Sequence, residues 1–238
     1  MGKGIFRQRN GMVAVDIVSA CGVMTPEQFS GLARAAGECG VFRFKLTTRQ
    51  TLVAVLEEEN AEKLIAVLPG LGLKVSPYGN VVRAVKACPG NSALCPRSLG
   101  EALDLGIEIQ EKYMGAGAPK DFKIAVAGCP RGCTDPYCAD IGVVASGRES
   151  FDVSIGGYGG SSRPLHGRTI ARRVCRESVF MIIDHVLDRF RALGEPGEKL
   201  GRTIARLGPE PFMPAEGHLK EGKNGVPDDF ASFLGIGK

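Results

Sequence analysis

Two short turns rich in glycine, proline and cysteine constrain this chain more than any other feature. Cys88 and Cys95 are separated by six residues, and Cys129 and Cys133 by three. The first turn reads Ala87-Cys88-Pro89-Gly90, the second Gly128-Cys129-Pro130-Arg131-Gly132-Cys133. Glycine and proline hold backbone in turns that aim several side chains at one point. They also expose backbone N–H groups, which stabilise sulfide and thiolate charge. Four thiolates from two loops are the usual cage for a cubane iron–sulfur cluster. Structural zinc is the competing reading. Its ligand pairs are about two to four residues apart, which suits Cys129/Cys133 and not Cys88/Cys95. Burial without a ligand is the bland reading, and it is the better one for Cys39 and Cys175. Cys21 and Cys138 stay open, although Cys138 is near enough in sequence to line the site.

The chain has eight cysteines. It begins MGKGIFRQRN, without the apolar stretch of a secretory signal and without the Ser or Thr at position 6 that myristoylation needs. No run approaches 18 apolar residues, so a membrane span is not expected. A cytoplasmic location is the expectation. Disulfides are disfavoured there, which leaves metal binding or redox chemistry to explain the cysteines. Net charge is +4. This mild excess suits an anionic ligand, and the absence of a basic tract argues against nucleic acid.

Local patterns divide the chain into residues 1–73, 74–213 and a polar, Gly-rich, loosely held tail over 214–238. Residues 12–18 read as a strand. Thr25 is an N-cap, Pro26 suits the first helical position and Gln28 completes a capping box. Phe29, Leu32 and Ala36 then recur at helical spacing up to Gly40. Phe42, Phe44 and Leu46 alternate with Arg43, Lys45 and Thr47, the pattern of a half-buried strand with one cationic edge. Residues 51–56 form another strand. Asn60 is expected to cap a helix carrying Leu64, Val67 and Leu68 and ended by Pro69-Gly70. The order is β-α-β-β-α, a compact α+β unit. Beyond it, residues 80–86 are expected as a strand, 98–113 as a helix, 122–127 and 140–145 as strands, Gly156–Gly160 as a loop, and 168–193 as an amphipathic helix or helix pair. The Gly156–Gly160 run lacks the spacing of a dinucleotide fingerprint. His166, His185 and His218 show no ligand spacing.

These residues resemble the siroheme-containing sulfite and nitrite reductases. Gly79-Asn80-Val81-Val82-Arg83 followed by Ala87-Cys88-Pro89-Gly90 resembles that family's approach to its first cysteine pair. Gly128-Cys129-Pro130-x-Gly132-Cys133 with Ala139-Asp140-Ile141-Gly142 resembles its second. Residues 21–28 and Leu46-Thr47-Thr48-Arg49-Gln50 resemble parts of its N-terminal half-domain. The likeness covers roughly residues 10 to 208. Large members carry two copies of this unit, and this chain has one.

The resemblance implies an α+β fold, with a ferredoxin-like half-domain packed on a siroheme/[4Fe–4S] domain. It implies that Cys88, Cys95, Cys129 and Cys133 hold the cluster and that Cys133 is also the proximal ligand of siroheme. Sulfite, with nitrite as the alternative, would be reduced by six electrons. No flavin or nicotinamide motif is present, so an external donor such as a ferredoxin would deliver them. The family pattern nominates Arg49, Arg83 and Lys123 for substrate. It nominates Arg83, Arg43, Lys45, Lys120, Arg163 and Gly157, with Cys133, for siroheme. Guanidinium suits carboxylates bidentately and ammonium acts as a point charge. Homodimerisation would replace the missing second repeat. Three positions depart from the family. The first pair has six intervening residues where five are usual, so a loop must bulge. Arg131 stands where Asn is usual. Asp16 and Val18 occupy the stretch before Cys21 where large sulfite reductases carry an Arg. That last departure keeps a second class of function in view, a siroheme/Fe–S electron-transfer protein with little turnover.

Overall fold

The computed structural model describes residues 2–91 and 93–222. Two compact units divide the chain between Gly79 and Asn80. The first begins with β1 (Gly2–Lys3), β2 (Ile5–Arg7) and β3 (Val13–Val18), followed by α1 (Pro26–Glu38). It continues through β4 (Arg43–Leu46), β5 (Leu52–Leu56), α2 (Glu58–Val67), β6 (Lys74–Val75) and β7 (Pro77–Tyr78). The main sheet runs β2-β3-β5-β4, with β6 against β3 and every pairing antiparallel. Period-two alternation puts Val13, Val15 and Ile17 on one face of β3. There they join Ala54, Leu56, Leu32, Leu64 and Leu68 in one hydrophobic core. The capping box of α1 forms: Thr25 Oγ1 accepts from the Gln28 N–H at 3.2 Å, and the Gln28 side chain accepts from the Thr25 N–H at 2.9 Å.

Two expectations for this unit fail. The alternating strand β4 is exposed along its whole length, Leu46 at 73%. It is the sheet's outer strand, and the core gathers on β3 and β5 instead. Asn60 lies inside α2, whose N-cap is Glu57 without a side-chain bond. The end of that helix is as expected: α2 stops at Val67, with Leu68 as its C-cap immediately before Pro69-Gly70. They open a 3₁₀ turn over Pro69–Leu71 that ends at the left-handed Gly72.

The second unit contains β8 (Lys86–Ala87), α3 (Ala102–Tyr113), β9 (Ile124–Ala127), β10 (Ile141–Gly147) and β11 (Ser150–Ile155). It ends with β12 (Arg168–Val174), α4 (Arg176–Leu193) and α5 (Leu200–Leu207). Its sheet is mixed, in the order β12-β11-β10-β9-β8. β8, β9 and β10 are mutually parallel, and the other neighbours are antiparallel. Strand β9 is buried throughout, as a central parallel strand covered on both faces should be. Helix α3 packs on β8 and β9, and α4 on β11. The stripe Val179, Ile182, Ile183, Val186, Leu187 and Phe190 is fully buried.

Four boundaries here differ from expectation. Residues 80–86 form only isolated bridges at Val81 and Val82 before β8. Helix α3 starts at Ala102, because the Leu99 N–H is taken by the Gly128 carbonyl at 2.7 Å. Residues 168–174 are strand β12, and helix begins only after Cys175. The tail is held where it is described: Val174 bridges Glu221, and the Gly222 N–H donates to the Arg173 carbonyl at 2.9 Å. The remainder of that expected tail, 223–238, lies outside the described residues.

Candidate functional site

Two parallel strands deliver the two cysteine turns side by side. Cys88 leaves β8 with its N–H still in the ladder, donating to the Val126 carbonyl at 3.1 Å. The turn after β9 begins at Gly128, whose N–H donates to Cys88 Sγ at 3.1 Å. A Cβ on Gly128 would lie 2.9 Å from Gly90 Cα and would collide with Ser98 Oγ, so backbone meets backbone here and only glycine fits. Ser98 closes the junction. Its hydroxyl donates to the Gly100 carbonyl at 2.8 Å and reaches the Gly128 carbonyl at 3.3 Å.

The six-residue spacing is accommodated by a turn around Asn91. Its Oδ1 accepts from the N–H groups of Ala93 and Leu94, and its carbonyl accepts from the Cys95 N–H at 3.0 Å. The second turn winds tightly through left-handed Gly132 and Asp135. Thr134 Oγ1 anchors it on the Val126 carbonyl at 2.8 Å.

The four thiols form one electrostatic group. Burial pushes the Cys88 thiol up, and the neighbouring Cys133 and Cys129 add to that against the N–H groups of Gly128 and Gly90. Burial also pushes the Cys129 thiol up, with Cys133 and Cys95 adding and Arg97 opposing. Neighbouring thiolates repel, and metal binding relieves such repulsion. Four cysteine sulfurs are the donor chemistry of an iron–sulfur cluster, and in that respect the set fits one. A tetrahedral zinc site would put every sulfur about 2.3 Å from one ion. Among the described residues no group of three or more His, Cys, Asp or Glu side chains, these four cysteines included, is placed to hold a single metal ion. Cys133 is exposed while Cys88, Cys95 and Cys129 are partly buried.

These observations meet in the family comparison. Residues 78–218 match the nitrite and sulphite reductase 4Fe-4S domain, and residues 6–68 match the nitrite/sulfite reductase ferredoxin-like half domain. The chain belongs to the nitrite and sulfite reductase family. Its ferredoxin-like half-domain and 4Fe–4S domain are those of an oxidoreductase. Sequence relatives include the assimilatory-type sulfite reductase of Nitratidesulfovibrio vulgaris, 26% identical over 90% of this chain and 96% of that protein. They also include the nitrite reductase (NADH) large subunit of Escherichia coli, 27% identical over 76% of this chain. The chain spans only 21% of that subunit. Among solved structures, dissimilatory sulfite reductase I superposes with a TM-score of 0.76 over 91% of this chain and 73% of its own, at 12% identity. The NirA protein of Mycobacterium tuberculosis gives 0.69 at 24% identity, over 88% of this chain and 41% of its own. Both share the fold.

In this reductase-family chain the remaining candidates fall on two units. Arg43, Lys45 and Arg49 belong to the first. Arg43 lies over the Phe42 ring at 4.4 Å, and Lys45 Nζ donates to the Leu46 carbonyl at 2.7 Å. Arg49 is carried by the tight turn between Thr47 and Thr51, whose hydroxyls meet at 2.7 Å. Asp16, also in the first unit, is buried, and its Oδ1 finds no hydrogen-bond partner among the described residues.

Arg83, Lys120, Lys123, Arg163 and Gly157 belong to the second unit. Arg83 is half-buried, and its N–H donates to the Phe122 carbonyl at 2.8 Å. Lys123 Nζ is 3.5 Å from Asp121 and faces Gly160. Lys120 is half-buried, and Arg163 is exposed on the loop after Gly160. Gly157 leaves no room for a side chain: a Cβ would sit 2.5 Å from the Ala139 carbonyl oxygen. The Gly159 N–H donates to the Cys138 carbonyl at 3.1 Å. The glycine loop thus lies directly on the end of the second cysteine turn.

Two ion pairs, one buried on both sides and one with only its lysine buried, escape sequence reasoning. Lys199 Nζ lies 2.6 Å from Asp140 Oδ2, which also accepts from the Lys123 N–H at 2.9 Å. Burial pushes the Asp140 carboxyl up, and Lys199 opposes it. Lys86 Nζ pairs with Asp135 at 3.2 Å. The lone hint in sequence is that Lys86 stands two residues before Cys88, on the same strand face.

Proposed function

We propose that this chain is a siroheme/[4Fe–4S] reductase that converts sulfite to sulfide with electrons from an external donor. The observation that carries this reading is the pair of clamped cysteine turns, where the Gly128 N–H donates to Cys88 Sγ and Gly128 lies against Gly90, with Cys133 exposed on the second turn. In this reading Cys88, Cys95, Cys129 and Cys133 hold the cluster, and Cys133 also serves siroheme. When bound, the two groups supply stepwise electron delivery. The chain's own residues do the rest. Arg83 and Lys123 neutralise anionic charge, as guanidinium and ammonium groups do. Lys123 Nζ holds a proton beside the glycine loop. Lys120 and Arg163 add carboxylate-binding cations on the same unit, and Gly157 keeps the glycine loop seated. Arg43, Lys45 and Arg49 are anion-binding cations of the first unit.

Nitrite reduction is the second reading, favoured by the names of several relatives. Sulfite is preferred because the assimilatory-type sulfite reductase is matched over nearly its full length. The test is turnover by anaerobically purified protein with reduced viologen, with sulfite and nitrite in separate assays. Sulfide from sulfite is the expected result. Siroheme-loaded protein that turns over neither oxyanion defeats the proposal. Cys133→Ser is expected to lose both cluster iron and the siroheme colour, and unchanged iron and visible spectrum would remove Cys133 from the assignment.

A further inference from the structure

Lys86 is an unusual residue to find where it is. It is only 9% exposed, and burying an ammonium costs several kcal/mol unless opposite charge compensates. Its partner Asp135 lies 3.2 Å away, but that carboxylate is 71% exposed and well hydrated, so it compensates weakly. Lys86 and Cys88 share one face of the same strand. Asp135 lies two residues beyond Cys133, in a left-handed conformation (φ 52°) that non-glycine residues adopt at a cost. Asp tolerates that conformation better than most residues, and here its side chain reaches back to β8. The ion pair therefore links the strand that delivers the first cysteine to the turn that carries the last.

We propose that Lys86 is a positioning residue for the cluster, one that ties the second cysteine turn to β8 and places a buried positive charge two residues before Cys88. The proposal rests on the cluster assignment above. A cubane held by four thiolates is net negative, and net charge is one of the quantities that set its reduction potential. The buried ammonium favours the reduced cluster and so raises that potential. The tie to Asp135 slows opening of the turn, and with it the loss of iron. Both effects belong to a residue that never touches iron.

The experiment compares wild type, Lys86→Gln and Asp135→Asn, each purified anaerobically. The readouts are iron and labile sulfide per chain, the rate of iron release to a chelator, and the cluster midpoint by EPR-monitored titration. Breaking the tie is expected to speed iron release about 10-fold in both variants, the usual scale for residues that support metal ligands from outside the ligand set. The midpoints are expected to move in opposite directions. Lys86→Gln removes positive charge and shifts the midpoint down, while Asp135→Asn removes the offsetting negative charge and shifts it up. A residue with a purely structural role would move both midpoints the same way or not at all, and either result overturns the proposal. Should Lys86→Gln fail to fold, Asp135→Asn decides alone, since its side chain is mostly in solvent: an upward shift supports the proposal, and no shift or a downward one overturns it. Wild type without iron and sulfide overturns the cluster assignment itself, which is visible before any variant is compared.

Discussion

Gly128 sets the separation of the two cysteine turns. Its Cα is the atom that a Cβ on Gly90 would meet at 2.9 Å, and the relation is mutual. Neither glycine here is needed for a positive φ; both are needed because two backbones touch. Gly128→Ala is therefore expected to push the turns apart and to cost about 1–3 kcal/mol, the range for overpacking a filled site. Thermal melting would measure the stability loss, and iron per chain would fall with it. Retention of both stability and iron would show that the junction has slack. The cysteine spacing reveals that two turns converge but says nothing about how closely. That closeness arises when β8 and β9 pair in parallel, which brings residues 90 and 128 together across the sheet.

At the scale of single elements, α5 depends on one carboxylate. Glu198 accepts from Arg206 Nε at 3.0 Å and from Thr203 Oγ1 at 3.0 Å, with an ion pair to Arg206 Nη2 at 2.6 Å. These contacts, Arg206 foremost, hold its carboxyl at about 2, against an ordinary 4.5. A depressed carboxyl stabilises the fold above its unfolded value and loses that contribution as pH falls through its folded value. Glu198→Gln should thus melt earlier than wild type at neutral pH, with the gap closing between pH 4.5 and about 2. A gap independent of pH would exclude the carboxylate as its source. Elements also show where local pattern misleads. Residues 168–174 carry apolar and basic side chains in an order that a helix would accept, yet they form β12. Two register shifts against β11 and a left-handed Arg173 break the alternation that would have marked a strand. The Arg173 N–H instead donates to Asp152 Oδ1 at 2.8 Å, a partner 21 residues earlier.

Across the second unit as a whole, the buried pair of Lys199 and Asp140 joins the residue before α5 to the residue before β10. Both side chains are nearly inaccessible, at 6% and 1%. Removing one member leaves the other's charge buried, a loss of about 3–5 kcal/mol. Lys199→Met is expected to lower the melting temperature on that scale, and the double variant Lys199→Met/Asp140→Asn to recover much of it. A double variant no better than the single would mean that the two residues act independently. The same pair holds the backbone of Lys123 through Asp140, so the single variant should also weaken any role of Lys123 in turnover.

Some features of this protein are settled within a few residues of chain. The capping box at Thr25 and Gln28 and the glycine–proline turns around the cysteines are of that kind, because caps and turns satisfy backbone groups locally. Sequence alone therefore identified the family. Burial and ion pairing were decided elsewhere. The exposure of β4, the strand at 168–174 and the partners of Lys86 and Lys199 depend on segments dozens of residues apart. Their energies exist only once those segments meet, and no local pattern of side chains encodes which segments will do so.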